Sequence, residues 1–231
     1  MSITPQPLCP EPALPLFHAG PAPKAQGPRA GALRDGLGVA AGMKVGLFGG
    51  SFNPAHDGHL HVAETALNRL GLDRVVWLVS PQNPLKDTAQ TAPLAERMAG
   101  ARALAKGPEM VVSDFETRAG TTWTVDTLRV LRARHSGVRF VWLMGSDNMA
   151  GFHRWRGWTD IMRSVPVAVI ARPGSLLESR TSPAAARFAP FRVPQERGRM
   201  LPYLSAPAWT YLTAPLNAKS STSLRAGRTG G

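Results

Sequence analysis

Cysteine is almost absent from this chain of 231 residues, which contains only Cys9. A single cysteine excludes an internal disulfide framework and a zinc site built on cysteine ligands, so a reducing cytoplasm is the expected compartment. Long hydrophobic runs are also missing, although 43% of the residues are hydrophobic, and no membrane-spanning segment is expected. The first residues show no charged region followed by an apolar one, so no signal peptide is expected either.

Several common catalytic patterns are missing as well. The chain has no Walker A lysine motif and no evident Ser/His/Asp or Cys/His set, and its motifs offer no carboxylate cage for a divalent cation. Its 27 Lys and Arg outnumber 15 Asp and Glu, which gives a net charge of +12. That charge favours a polyanionic partner, but no Lys/Arg-rich block occurs, so a phosphate-rich small substrate explains it as well as nucleic acid does.

The first 42 residues differ in composition from the rest of the chain. They hold 8 of the 21 prolines, together with many Gly and Ala and little periodicity, which predicts a disordered leader over 1–42. The glycines of 36–42 precede a strand, whereas those of a dinucleotide fingerprint would follow one, so we assign them no nucleotide-binding role. We expect a single functional domain over 43–231 and a leader that activity does not require.

Strand and helix patterns alternate after residue 43. Short apolar runs predict buried strands at 45–48, 74–80, 110–113, 138–144 and 166–171, and an alternating stretch predicts an edge strand at 208–212. Helical spacing predicts helices from 59, over 93–106, over 121–134 and, weakly, over 183–188. This alternation predicts an α/β domain with a doubly wound, Rossmann-like parallel sheet and a cleft at the strands' carboxyl ends.

A loop rich in glycine links the first predicted strand to the first predicted helix, and its sequence over 49–59 is GGSFNPAHDGH. Unpaired N–H groups and the positive end of the dipole meet at a helix N-terminus, and glycines let a phosphate approach the backbone. His56 and His59, at the entrance of the helix, can both present ring N–H donors to one anion. The junction therefore predicts a phosphate site.

Residues 49–59 resemble the GG[ST]F[DN]PxHxGH signature of the nucleotidyltransferase superfamily of α/β phosphodiesterases, and bacterial nicotinate-nucleotide adenylyltransferases most of all. About eleven consecutive positions agree in type and context. Three further stretches resemble elements of that family: TTWTVDTL at 121–128, GSD to Trp155 at 145–155, and SSTSLR at 220–225. The resemblance implies a strand order of 3-2-1-4-5.

The resemblance also implies an activity: transfer of the adenylyl group of ATP to nicotinate mononucleotide, forming nicotinate adenine dinucleotide and pyrophosphate in NAD biosynthesis. The missing base fits this chemistry, because a phosphate nucleophile with a second pKa of about 6 is already anionic at neutral pH. Mg²⁺ is expected to arrive on the ATP phosphates. His56 and His59 are the expected catalytic residues, which would stabilise the pentacoordinate phosphorus.

The resemblance to this family also implies which residues bind the two substrates. The expected ATP contacts are Gly49, Gly50, Ser51, Phe52, Gly58, Gly145, Asp147, Ser221, Thr222 and Arg225. The expected mononucleotide contacts are Asn83, Lys86, Trp123, Thr124 and Trp155. A carboxylate at a strand end can accept hydrogen bonds from a ribose, a flat indole can stack on a pyridine ring, and hydroxyls beside an arginine fork suit a polyphosphate.

Three alternatives stay open at this point. Nicotinamide mononucleotide could replace the nicotinate form as acceptor, because acid and amide differ in only a few donors. Phosphopantetheine adenylyltransferases share the HxGH loop, although Trp123 and Trp155 favour a flat pyridine ring. Finally, a basic protein on the same fold could bind nucleic acid without turnover.

Overall fold

Seven parallel strands form one sheet in the computed structural model, which describes residues 35–81 and 91–213. The strands are β1 (Lys44–Gly50), β2 (Arg74–Val79), β3 (Met110–Ser113), β4 (Arg139–Gly145), β5 (Val167–Ile170), β6 (Arg192–Val193) and β7 (Trp209–Leu212). Their order across the sheet is 3-2-1-4-5-7-6. The predicted order of the first five strands is confirmed, and β7 and β6 extend the sheet beyond β5.

The prediction that 208–212 forms an edge strand is wrong. β7 pairs in parallel with β5 on one side and with β6 on the other, and all four of its residues are buried. The edge is β6, a strand of only two residues within a Pro- and Arg-rich stretch that gave no strand signal. So short a strand leaves few unpaired backbone groups at the sheet edge.

Helices cover both faces of the sheet. The α-helices are α1 (Asp57–Leu70), α2 (Leu94–Leu104), α3 (Phe115–Ala119), α4 (Thr124–Arg134), α5 (Ser146–Gly151), α6 (Trp158–Ser164), α7 (Leu176–Arg180) and α8 (Pro183–Arg187). Short 3-10 helices span Phe152–Arg154, Ala189–Phe191 and Gln195–Tyr203. Within the described residues, none of these helices has the length and apolar character that crossing a membrane requires.

The hydrophobic core forms two layers because strand side chains point alternately to opposite faces. Leu47 of β1 packs in the layer that contains Leu128 of α4, whereas the neighbouring Phe48 packs in the layer that contains Val62 of α1. Both faces are therefore apolar, which is why the central strands are nearly continuous hydrophobic runs. This arrangement leaves the polar chemistry to the loops at the carboxyl ends of the strands.

Residues 35–42, which belong to the leader predicted over 1–42, form a strap that packs against the domain. Leu37 and Val39 are 0% and 2% exposed and belong to the α4 layer of the core. The carboxylate of Asp35 pairs with His135, which caps the carboxyl end of α4. An alternation of only two apolar residues between glycines is too short to predict such packing.

We expect Leu37→Ala to lower the free energy of unfolding by about 2–5 kcal/mol, because it removes a fully buried side chain from the core. Urea unfolding followed by circular dichroism measures this. Deletion of 1–42 should destabilise the protein further, whereas deletion of 1–34 is the matched control that keeps the strap. Equal unfolding midpoints for the two truncated proteins would contradict the structural role of the strap.

Candidate active site

The helix after β1 begins two residues earlier than predicted, at Asp57, with His56 as its N-cap. The Gly58 N–H donates to Nδ1 of His56 at 3.0 Å, and the His56 N–H donates to Nδ1 of His59 at 3.3 Å. The two imidazoles thus form a reciprocal capping box, a task that Ser or Thr and Glu more often perform. The structure confirms that both histidines lie at the helix entrance, with ring centroids 3.9 Å apart.

These hydrogen bonds assign the tautomers of both rings. A nitrogen that accepts a backbone N–H carries no proton, so the ring proton of each neutral imidazole is on Nε2. His56 is only 4% exposed, which limits the freedom of its ring to rotate. The capping box therefore leaves His56 and His59 with Nε2–H groups as their donors, held in place by the backbone of α1.

The aromatic side chains of Phe52 and Trp77 pack beside the ring of His59. The rings of Phe52 and His59 are 5.0 Å apart at 66°, and Trp77 packs against Phe52 at 5.1 Å. Phe52 is 1% exposed and has a positive φ of 47°, a conformation that few non-glycine residues adopt. Its side chain therefore packs against His59, and its contact with ATP stays a prediction.

The glycine pair of the loop is required by close packing. A Cβ atom on Gly49 would lie 2.4 Å from the Trp142 ring, and one on Gly50 would lie 3.0 Å from the Phe52 ring. A larger residue at position 49 would therefore displace the buried Trp142 ring, whereas one at position 50 would require a small shift of the Phe52 ring. Glycine at residue 49 thus allows the end of β1 to pack closely against Trp142 of β4.

A second cluster of polar groups lies at the carboxyl end of β4, the neighbour of β1 in the sheet. Arg172 donates from Nη1 to Oδ2 of Asp147 at 2.9 Å, and a Cβ on Gly145 would lie 2.3 Å from the same carboxylate. Ser146 Oγ accepts from the Arg172 N–H at 2.8 Å and lies 2.7 Å from Ser175 Oγ. Because Gly145 has no side chain, the Asp147 carboxylate has room to accept the hydrogen bond from Arg172.

Sequence reasoning missed Arg172, because the arginine follows β5 and its partner follows β4. Only the pairing of the two strands brings the side chains together. The Asp147 carboxylate is about half exposed, so the ion pair contributes little to stability. The ion pair instead sets the direction of the Asp147 carboxylate, which is predicted to hold the ribose.

The two predicted aromatic contacts for the mononucleotide lie in neighbouring segments. Trp123 is the N-cap of α4, and the guanidinium of Arg156 lies 5.4 Å from the centre of its ring. Gly157 approaches Val125 so closely that a Cβ would lie 3.2 Å away. Since α4 leads into the parallel strand β4, its N-terminus lies toward the carboxyl ends of the strands, as does Trp155. Thr124 is the first residue of α4.

Comparison with known proteins gives consistent results. A cytidylyltransferase-like family model matches residues 47–227. A probable nicotinate-nucleotide adenylyltransferase of Caulobacter sp. strain K31 is 66% identical over 189 residues, which are 82% of this chain and all of that protein. A probable nicotinate-nucleotide adenylyltransferase of Rhizobium meliloti strain 1021 is 50% identical over 81% of this chain and all of that protein. The chain belongs to the nicotinate-nucleotide adenylyltransferase family.

Solved structures agree on the fold of this adenylyltransferase family member. Nicotinic acid mononucleotide adenylyltransferase of Plasmodium falciparum, complexed with NaAD, has a TM-score of 0.61 at 15% identity. The same protein complexed with APC has a TM-score of 0.60 at 14% identity. Each match covers 80% of this chain and 83% of the Plasmodium chain. At such low identity the likeness supports the architecture alone.

Five predicted contacts of the adenylyltransferase site lie outside the described residues: Asn83, Lys86, Ser221, Thr222 and Arg225. Their roles stay predictions. Within 35–81 and 91–213, no group of three His, Cys, Asp or Glu side chains is arranged to hold a metal ion. The described part of the site therefore consists of the His56 and His59 capping box, the glycine loop, Asp147 with Arg172, and the segments that carry Trp123 and Trp155.

Glu116 is a second residue that sequence reasoning missed, and it lies in the short helix α3 that precedes the Trp123 segment. It is 4% exposed, and burial raises its pKa from 4.5 to about 7, while the hydrogen bond from Thr127 opposes the shift. Thr127 Oγ1 lies 3.1 Å from Glu116 Oε1 and 3.2 Å from the Trp123 carbonyl oxygen. The carboxyl group thus supports the start of α4.

The raised pKa of Glu116 makes stability depend on pH in a defined direction. Between pH 4.5 and about 7 the folded state holds a proton that the unfolded state releases, so the free energy of unfolding falls as pH rises through this range. The contribution lost approaches about 3 kcal/mol above pH 7. We therefore expect Glu116→Gln to be more stable, relative to wild type, at pH 8 than at pH 5.

Urea unfolding at the two pH values measures this difference. Glu109→Gln is the matched control, because it makes the same change of charge on an exposed side chain. If the free energies of unfolding of Glu116→Gln and wild type differ by the same amount at pH 5 and pH 8, the raised pKa of Glu116 is wrong.

Proposed function

We propose that this protein transfers the adenylyl group of ATP to nicotinate mononucleotide, producing nicotinate adenine dinucleotide and pyrophosphate. The observation that carries the proposal is the capping box of His56 and His59, which holds two imidazole donors at a helix N-terminus beside a glycine loop. The 66% and 50% identities to proteins named for nicotinate nucleotide favour this acceptor over phosphopantetheine. We propose a cytoplasmic location, in keeping with the single cysteine.

The reaction requires no general base from the protein. A 5′-phosphate oxygen of the mononucleotide attacks the α-phosphorus of ATP in line, a new P–O bond forms, and the bond to the β-phosphate oxygen breaks as pyrophosphate leaves. Nε2–H donors of His56 and His59 would bind the α-phosphate oxygens, where negative charge develops in the transition state. Mg²⁺ would enter with ATP and be held by the ATP phosphates, where it would neutralise part of their negative charge.

The remaining contacts are proposals, which for the described residues are supported by their position near the carboxyl ends of the strands. Backbone N–H groups of the loop 49–58 would contact phosphates, and the Asp147 carboxylate, oriented by Arg172, would accept hydrogen bonds from the adenosine ribose. Trp123 and Trp155 would contact the pyridine ring of the mononucleotide. The tail residues Thr222 and Arg225 keep their proposed contacts with the β- and γ-phosphates.

Pyrophosphate release from ATP with a panel of acceptors tests the substrate assignment. We expect the highest kcat/KM for nicotinate mononucleotide, a lower value for nicotinamide mononucleotide, and no turnover of phosphopantetheine. A higher kcat/KM for the nicotinamide form would overturn the choice of acceptor. Salt-sensitive binding of RNA without turnover of any acceptor would overturn the proposed enzyme activity altogether.

We expect His59→Ala to lower kcat about 10²–10³-fold with a smaller change in the KM for ATP, because the lost donor acts on charge that develops in the transition state. Steady-state pyrophosphate release measures both constants. His61→Ala, two residues along α1 and so on a different face of the helix, is the matched control and should keep kcat within about twofold of wild type. Wild-type kcat in His59→Ala would refute the role.

A further inference from the structure

Arg97 of α2 is a charged residue that lies inside the protein, with only 3% of its surface exposed. Its Nε donates to the Ala92 carbonyl at 2.9 Å, and its Nη2 donates to the Pro81 carbonyl at 2.8 Å. Its Nη1 donates to the carbonyls of both Ser51 and Ser80, each at 2.7 Å. One guanidinium therefore satisfies four backbone acceptors at once.

These bonds replace a carboxylate partner, since no Asp or Glu in the described ranges forms an ion pair with Arg97. Burial lowers the pKa of the guanidinium from its usual value, as expected when a charge leaves water. Burying a cation is unfavourable unless its donors are all engaged. An apolar side chain would fill the space but leave the four carbonyls without a donor, so the charge at this position serves the backbone segments that carry those carbonyls.

The four acceptors belong to three separate backbone segments. Ser51 directly follows β1 and opens the loop that ends at His56, Ser80 and Pro81 directly follow β2, and Ala92 precedes α2. Two further bonds join these segments: the Ser80 N–H donates to the Gly50 carbonyl at 3.0 Å, and the Ala92 N–H donates to Asn53 Oδ1 at 3.2 Å. Arg97 lies at the centre of the connections between the phosphate loop and the end of β2.

We propose that Arg97 is a positioning residue for adenylyl transfer, which holds the loop 51–56 against the end of β2 and so fixes the place of the His56 and His59 donors relative to the substrate phosphates. The inference rests on the proposed function. A lysine cannot substitute, because one ammonium lacks the planar fork of donors that reaches carbonyls on different segments. A displacement of the loop by about 1 Å would suffice to lower the rate about 10²-fold.

Arg97→Lys and Arg97→Ala test the proposal through kcat and KM for ATP and nicotinate mononucleotide, measured well below the thermal midpoint of each variant. We expect kcat to fall about 10–100-fold in both, with a smaller change in either KM. Arg102→Ala, an exposed position on the same helix, is the matched control and should keep both constants within about twofold of wild type. A merely structural arginine would lower the melting temperature and leave kcat unchanged.

Chemical rescue separates positioning from stability. Guanidinium chloride at low millimolar concentration should raise kcat of Arg97→Ala several-fold and saturably, whereas sodium chloride at equal ionic strength should not. If Arg97→Ala gives no cooperative melting transition, Arg97→Lys decides alone. Wild-type kinetics in Arg97→Lys, with an active parent enzyme, would overturn this inference only. No nicotinate mononucleotide turnover by the wild-type protein would overturn the proposed function and this inference together.

Discussion

The site depends on two backbone N–H groups at the start of α1 that donate to imidazole nitrogens. Serine or aspartate would satisfy these N–H groups equally well, and an N-cap of this kind is worth about 1 kcal/mol. Histidine adds a second nitrogen on the far side of the ring. When Nδ1 accepts the N–H of Gly58 or His56, Nε2 becomes a donor of fixed direction. These two hydrogen bonds therefore cap the start of α1 and orient two donors before a substrate arrives.

The parallel sheet brings the other groups toward this helix start. β2 and β4 flank β1, so the loops that follow all three strands emerge at one edge, beside the N-termini of the helices that run back along the sheet. Helices on both faces require apolar strands, so the polar and charged residues of the strands lie at the strand ends. The Asp147 and Arg172 pair, the glycine loop and the Trp123 segment are neighbours because of this topology, although they are far apart in the sequence.

Local patterns predicted most of this arrangement, because strands, glycine turns and the helix entrance each depend on residues close in sequence. The order of β1 to β5 and the placement of His56 and His59 followed from such patterns and from the resemblance they carry. Residues whose role depends on a distant partner gave no signal: Leu37 fills a gap beside α4, and β7 becomes internal only because β6 pairs with it. The contact of Phe52 with ATP stays a prediction, and the packing of its ring against His59 gave no signal, since a motif does not show which way a side chain points.

Arg97 and Glu116 show two ways in which this fold accommodates a buried ionisable group. Glu116 accepts a hydrogen bond from the Thr127 hydroxyl, and burial raises its carboxyl pKa to about 7, so below neutral pH the carboxyl group is largely uncharged. Arg97 cannot release its proton within the range of ordinary pH, and four carbonyls take up its donors instead. Carbonyls suit a permanent cation because they supply partial negative charge without the mobility of a carboxylate side chain. Arg97, which stays charged, thus lies where backbone segments meet beside the phosphate loop. Glu116, whose charge depends on pH, lies beside the start of α4.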